Sequence, residues 1–108
     1  MGMPAPAYFT RAMLRDIPED GNRYEILDGE LVVTPPPAIR HQRVSGNLVR
    51  VLDRHVVQHA LGEVLAAPVA VRLSKTTIVE PDILYLASGR AGIVAEFYLT
   101  GAQEAWLT

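Results

Sequence analysis

The sequence predicts a small α+β domain, and three observations predict it. Two β-rich runs, Arg23-Tyr24-Glu25-Ile26-Leu27 and Glu30-Leu31-Val32-Val33-Thr34, flank Asp28-Gly29, the strongest short-range signal for a β-hairpin. Residues 39–61 then carry apolar side chains at helical spacing. Two more strand-like runs follow, Val69 to Leu73 and Ile78 to Leu86, antiparallel to one another across a short turn.

Taken in order, Thr10 is suited to cap a short helix from Arg11 to Arg15 or Asp16, because its hydroxyl can accept from an orphan N–H of the first turn. Phe9, Met13, Leu14 and Ile17 give that helix one apolar edge, Pro18 ends it, and Glu19-Asp20-Gly21-Asn22 makes a polar turn. In the hairpin, Gly29 supplies the positive φ of a tight primed turn. Pro35-Pro36-Pro37 stops the second strand, since proline cannot donate to a ladder.

The long helix places Val44, Leu48, Val51, Leu52 and Val56 on one face, with Gly62 as its stop. Gly46 weakens it by roughly 1 kcal/mol relative to Ala and points to a close neighbour. Glu63 to Leu65 comes next. In Val69 to Leu73, Val69, Val71 and Leu73 share one face and Ala70 and Arg72 the other, with Pro68 marking an edge position or a bulge. Ser74-Lys75-Thr76-Thr77 turns the chain into Ile78 to Leu86, which Ser88-Gly89-Arg90-Ala91-Gly92 breaks. Ile93 to Glu96 is expected as a helical turn, and the chain ends on Trp106-Leu107-Thr108.

At 108 residues the chain is long enough for one domain with a real core. Its net charge of −2 excludes a global basic field, so any nucleic-acid contact needs a local basic patch. The absence of cysteine removes disulfides, thiolate metal sites and cysteine nucleophiles together. No run approaches the roughly 18 apolar residues of a spanning helix. Residues 1–7, with no basic region before an apolar core, read as a disordered lead-in rather than a signal peptide. The expected location is the cytoplasm, without a membrane partner.

Three groups of residues carry candidate chemistry. Asp82 and Glu80 sit in an otherwise apolar run, and an ionised carboxylate leaves water only at a cost of several kcal/mol unless something pairs with it. A metal ion is one such partner; a turn cap or an arginine is the other reading. On the long helix, Arg43, Arg50 and Arg54 line a stripe roughly 100° from the apolar face, with Arg40 and Asn47 beside it. Such a stripe is either a solvated face or a phosphate-contacting edge, for which the planar arginine fork is suited. His55 and His59, four apart, could share a metal ion, but no Glu or third ligand stands at a familiar spacing. His41, at the helix start after the proline loop, could reach a neighbouring active site.

An ordered set of segments then resembles a known family. Pro-Glu-Asp-Gly-Asn-Arg (18–23) leads into Tyr-Glu-Ile-Leu-Asp-Gly-Glu-Leu-Val-Val (24–33). Arg-His-Gln-Arg-Val-Ser-Gly-Asn-Leu (40–48), Gly-Glu-Val-Leu (62–65), Ala-Pro-Val-Ala-Val-Arg-Leu-Ser (67–74) and Val-Glu-Pro-Asp-Ile-Leu-Tyr (79–85) follow. In order and spacing, across residues 8–102, they resemble the Uma-two family of restriction endonucleases, within the PD-(D/E)XK nuclease superfamily. The resemblance implies a restriction-endonuclease-like mixed sheet flanked by helices, with an added N-terminal helix and hairpin. It also implies Mg²⁺-dependent hydrolysis of phosphodiesters in nucleic acid, DNA in the first instance.

Carried over residue by residue, Asp82 matches the family's Pro-Asp metal ligand and catalytic carboxylate. Glu25 and His41 match recurrent polar positions near its active site. Glu80 would join Asp82 as a metal ligand if the strand is regular, because alternate residues share a face. Arg40, Arg43, Arg50 and Arg54 are the nucleic-acid-binding candidates. The family's second carboxylate motif and catalytic lysine have no counterpart. Glu104 lacks that motif's context, and Lys75, the only lysine, sits in a turn. The expectation is therefore a truncated domain over residues 8–108, with the C-terminal half of the core missing and with little or no activity. The alternative is a non-catalytic remnant acting as a self-associating or interaction module, through the unpaired edge and uncovered face that missing strands would leave on the sheet holding Ile78 to Leu86.

Overall fold

The hairpin forms where the Asp-Gly signal places it. The computed structural model describes residues 9–90, 92–102 and 104; the expected lead-in and the terminal Trp106-Leu107 lie outside them. Strands β1 (Arg23–Leu27) and β2 (Glu30–Thr34) pair antiparallel from Arg23↔Thr34 to Leu27↔Glu30. Asp28 (φ 50°) and Gly29 (φ 85°) both take the left-handed conformation of a primed turn. Helix α1 (Arg11–Arg15) precedes it, and the Thr10 hydroxyl accepts from the Met13 N–H as expected of an N-cap.

The chain divides into two compact units, Met1–Pro36 with Ala70–Glu80, and Pro37–Val69 with Pro81–Thr108. The first holds α1, the hairpin, β4 (Val71–Ser74) and β5 (Thr77–Val79), with strand order β2-β1-β5-β4. The β4–β5 turn pins the hairpin tip: the Gly29 N–H donates to the Thr76 carbonyl at 2.8 Å and the Asp28 N–H to Thr77 Oγ1 at 3.1 Å. Ile26 and Ile78 face each other in register, and both are buried. Burial of each such side chain contributes roughly 2 kcal/mol. Leu73, expected to share a face with Val71, is exposed while Val71 is buried, because the ladder shifts register between Arg72 and Ser74 and a bulge re-aims the residues after it. Pro68 itself precedes the strand, and β4 is an edge strand that carries the bulge.

The second unit holds α2 (Ile39–Gln58) and a sheet of β3 (Gly62–Ala66), β6 (Ile83–Ala87) and β7 (Ala95–Phe97), in the order β3-β6-β7. Helix α2 lies against β3. It ends earlier than its pattern implies: Ala60 (φ 52°), not Gly62, takes the left-handed turn. Gly62 is instead the first residue of β3, at φ 141°, where a Cβ would stand 1.9 Å from the Leu86 carbonyl oxygen. Val44 and Val56 are buried on α2, but Val51 is 66 % exposed. The inner face therefore runs through Val44, Leu48, Leu52 and Val56, turned further from the arginine stripe than expected.

Two expectations fail here. Ile78 to Leu86 is not one strand: it breaks at Glu80-Pro81-Asp82, and its halves, β5 and β6, belong to different sheets. Proline at 81 cannot donate to a ladder, which makes it the natural break. Both halves are interior strands; among the described strands the edges of the two sheets that hold them are β2 and β4, and β3 and β7. The turn expected at Ile93 to Glu96 is instead the approach to β7. The architecture is mixed α+β, consistent with a restriction-endonuclease-like fold. Every pairing among the described strands is antiparallel, in two sheets rather than one mixed sheet.

Candidate active site

The break at Pro81 fixes Asp82 at the entry to an interior strand. Its N–H donates to the Phe97 carbonyl and its own carbonyl accepts from the Ala67 N–H, both at 3.1 Å. The backbone is thus tied to both neighbouring strands just before β6 begins. Pro81 and Ile83, on either side, are fully buried. The Asp82 side chain is only 6 % exposed, and a carboxylate there is stable only with partners. Its Oδ2 accepts from the Leu99 N–H at 2.9 Å.

His41 supplies the other contact. It sits in the first turn of α2, on the helix's inner face with Leu48 and Leu52. Its Nε2 lies 3.2 Å from Asp82 Oδ1, and its Nδ1 lies 2.5 Å from Glu104 Oε1. Glu104 is carried on a helical turn, its N–H donating to the Thr100 carbonyl at 2.9 Å. His41 is 17 % and Glu104 19 % exposed, so all three groups are shielded from water. Each N···O contact needs a proton between its atoms, and a neutral imidazole carries one N–H, not two.

Glu25 and Glu80 come together in the first unit, but not as paired carboxylates. Glu25 is buried on β1, and its Oε2 accepts from the Glu80 backbone N–H at 2.8 Å. This satisfies a donor just past the end of β5. Burial holds the Glu80 carboxyl above its usual range, Arg23 draws it back down, and the nearby Glu25 adds to the rise. His41 and Asp82 belong to the second unit. The regular strand that would align Glu80 with Asp82 is interrupted.

The expected metal site fares differently. Among the described residues, no group of three or more His, Asp or Glu side chains is arranged to hold a metal ion. The reason is visible at His41. Two carboxylates on opposite nitrogens of one imidazole are separated by the ring and two hydrogen bonds, farther than one Mg²⁺ can span with Mg–O bonds of about 2.1 Å. As arranged, the residues do not fit the ion.

Arg40, Arg43, Arg50 and Arg54 are all exposed on α2, roughly 140° from the centre of its buried face. Arg50 donates to Asn47 Oδ1 within the stripe. Asn47 and Gln58 complete this edge of the helix, and the helix's one acidic residue, Asp53, flanks it three residues after Arg50. His55 and His59 are exposed, and His59 Nδ1 donates to the His55 carbonyl at 2.8 Å, which closes the helix end.

Sequence reasoning missed the role of Glu104. The signal that could have found it is Thr100-Gly101-Ala102-Gln103, a capping-box pattern that announces a helix start. The mixed α+β architecture is consistent with the restriction-endonuclease class. Residues 11–104 match the family described as "Uma2: Putative restriction endonuclease". The chain belongs to this family. No curated protein matches it.

Proposed function

We propose that the chain is a DNA-directed member of the restriction-endonuclease class that grips the phosphate backbone and, with its centre arranged as seen, does not carry out metal-dependent hydrolysis. The observation that carries the binding half is the stripe of Arg40, Arg43, Arg50 and Arg54 on the exposed face of α2, four cations against the single flanking carboxylate of Asp53. Four guanidinium groups along one helix edge neutralise phosphates through paired hydrogen bonds, and the local charge outweighs a net −2 over the whole chain.

The family reaction, as the resemblance gives it, uses Mg²⁺ to lower the pKa of a bound water and to stabilise charge at the phosphate. Asp82 is the residue that would hold the ion, and here an imidazole and a backbone N–H occupy its oxygens. That supports a binding role over a hydrolytic one.

Fluorescence anisotropy with a labelled DNA duplex tests the binding half. Affinity is expected to fall steeply from low to moderate salt as the drive from counterion release declines; a flat salt response removes the reading. Supercoiled plasmid tests the other half. No nicking is expected with Mg²⁺ or Mn²⁺, and nicking by the wild type that Asp82→Ala abolishes would overturn it.

A second reading, self-association through a sheet edge, is favoured by β7. Among the described residues it pairs only with β6, and Val94, Phe97 and Tyr98 around it are exposed. Unpaired edges with apolar side chains invite another strand. Light scattering decides this: a clean monomer at high concentration counts against it.

A further inference from the structure

We propose that His55 and His59, at the C-terminal end of α2, form a two-imidazole clip for a transition-metal ion, Cu²⁺ most tightly and Ni²⁺ or Zn²⁺ after it, that fastens the last turn of the helix. The clip stands apart from Asp82 and its partners: His55 lies about 21 Å along the helix from His41.

Three observations carry it. The two histidines are four residues apart, His59 being the C-cap of α2, so they stand one turn apart on the same face. Their rings lie side by side, with centroids 4.4 Å apart and planes tilted by 38°. Two imidazoles bound at a right angle to one ion, with metal–nitrogen bonds of about 2.1 Å, hold their centroids about 4.5 Å apart. The rings therefore already have the separation that a shared ion requires. The His59 Nδ1 donates to the His55 carbonyl at 2.8 Å, which leaves Nε2 as the coordinating nitrogen of that ring. Metal-bound histidines are oriented in this way, with the second ring nitrogen donating to a carbonyl or carboxylate.

The surroundings admit a cation. Both histidines are exposed, so turning the rings toward a common ion displaces no core packing. The last carbonyls of a helix carry partial negative charge. Arg54, the neighbouring cation in sequence, projects roughly 100° around the helix from His55, within the arginine stripe. Imidazole nitrogens select late first-row ions, in an order that peaks at Cu²⁺, over Mg²⁺, which takes oxygen ligands. Water fills the remaining positions, and the ion cross-links the turn just before the left-handed Ala60 and the start of β3.

The test titrates the whole chain, stripped with EDTA, with CuCl₂ and follows heat. One saturable site per chain is expected, with weaker binding of Ni²⁺ and Zn²⁺ and none of Mg²⁺. The second nitrogen binds as an intramolecular step, so His55→Gln and His59→Gln are each expected to lose roughly a hundredfold in affinity. Two imidazoles at the wrong spacing, made by His59→Gln with Val57→His at an exposed position, are expected not to restore it. Melting curves in EDTA check that each variant is folded. In the wild type, Cu²⁺ is expected to raise the melting temperature, because it binds only the folded helix. Substoichiometric Cu²⁺ is also expected to broaden the ring signals of His55 and His59 and to spare those of His41. No saturable Cu²⁺ binding by the wild type, broadening that misses either ring, or undiminished affinity in the single variants would overturn the proposal.

Discussion

His41 Nδ1 and Glu104 Oε1 stand 2.5 Å apart although 63 residues separate them in the chain. Charge-assisted bonds of this kind contribute about 1.5–3 kcal/mol each when shielded from water. Glu104→Ala is therefore expected to destabilise the fold by on the order of 1–2 kcal/mol, allowing for the residual exposure of both groups. His41→Ala is expected to cost more, about 3 kcal/mol, because it removes two hydrogen-bond contacts at once, to Asp82 and to Glu104. A double-mutant cycle read by urea denaturation checks the pair; additive effects would show that the two side chains are not coupled.

Gly62→Ala is expected to be among the most damaging single changes. The added methyl would meet the Leu86 carbonyl oxygen at 1.9 Å, and backbone on the partner strand cannot swing aside. The φ of 141° is also one that side-chain-bearing residues rarely adopt. A loss on the order of 3 kcal/mol is expected, visible as a large drop in the urea midpoint. The control Gly89→Ala meets nothing within 4 Å and isolates the cost of positive φ alone.

Glu80 gives the fold a pH dependence of defined sign. Burial raises its carboxyl above the ordinary 4.5, with Arg23 opposing and Glu25 assisting. The folded chain therefore keeps this proton to higher pH than the unfolded chain does. Ionisation works against folding, and the penalty is absent below 4.5 and grows as pH rises through the folded value. Glu80→Gln should melt higher than the wild type at neutral pH, and the gap should close on acidification. A gap that widens toward acid would sink this account.

Charge reversal on α2 separates a phosphate-contacting edge from a solvated face. Arg50→Glu with Arg54→Glu should weaken DNA binding and lower the salt slope by roughly 1 for each phosphate no longer neutralised. Both residues are exposed, so the melting temperature should hardly move. Unchanged affinity would leave the stripe a solvated face.

These features were legible to different degrees in the sequence, for physical reasons. The hairpin was fully legible because its determinants are local: Asp28 and Gly29 carry the turn and the alternation carries the register. The body of α2 was legible from its period, but its end was not. Glycine signalled positive φ correctly at 62, yet the need there comes from the partner strand at Leu86, while Ala60 makes the turn. The Ile78 to Leu86 run hid a change of sheet, because apolar continuity says nothing about which neighbours a strand pairs with. His41 could be singled out as a residue able to reach a site, and Asp82 as a carboxylate needing a partner. Glu104 could not be joined to them, since the contact depends on three segments distant in sequence and each alone reads as an ordinary surface.

The broken strand also sets an order of events during synthesis. β1 has one neighbour, β2, available at once, but its second is β5, which it meets at Ile26↔Ile78. A two-stranded hairpin is marginal in water. At translation rates of about 5–20 residues per second, the hairpin must wait several seconds with one edge bare while all of α2 and β3 are made. Ile26, almost fully buried in the finished fold, is uncovered throughout that interval. The nascent chain is thus most exposed to chaperones, and to mispairing with other ribosome-bound copies, before Ile78 leaves the exit tunnel.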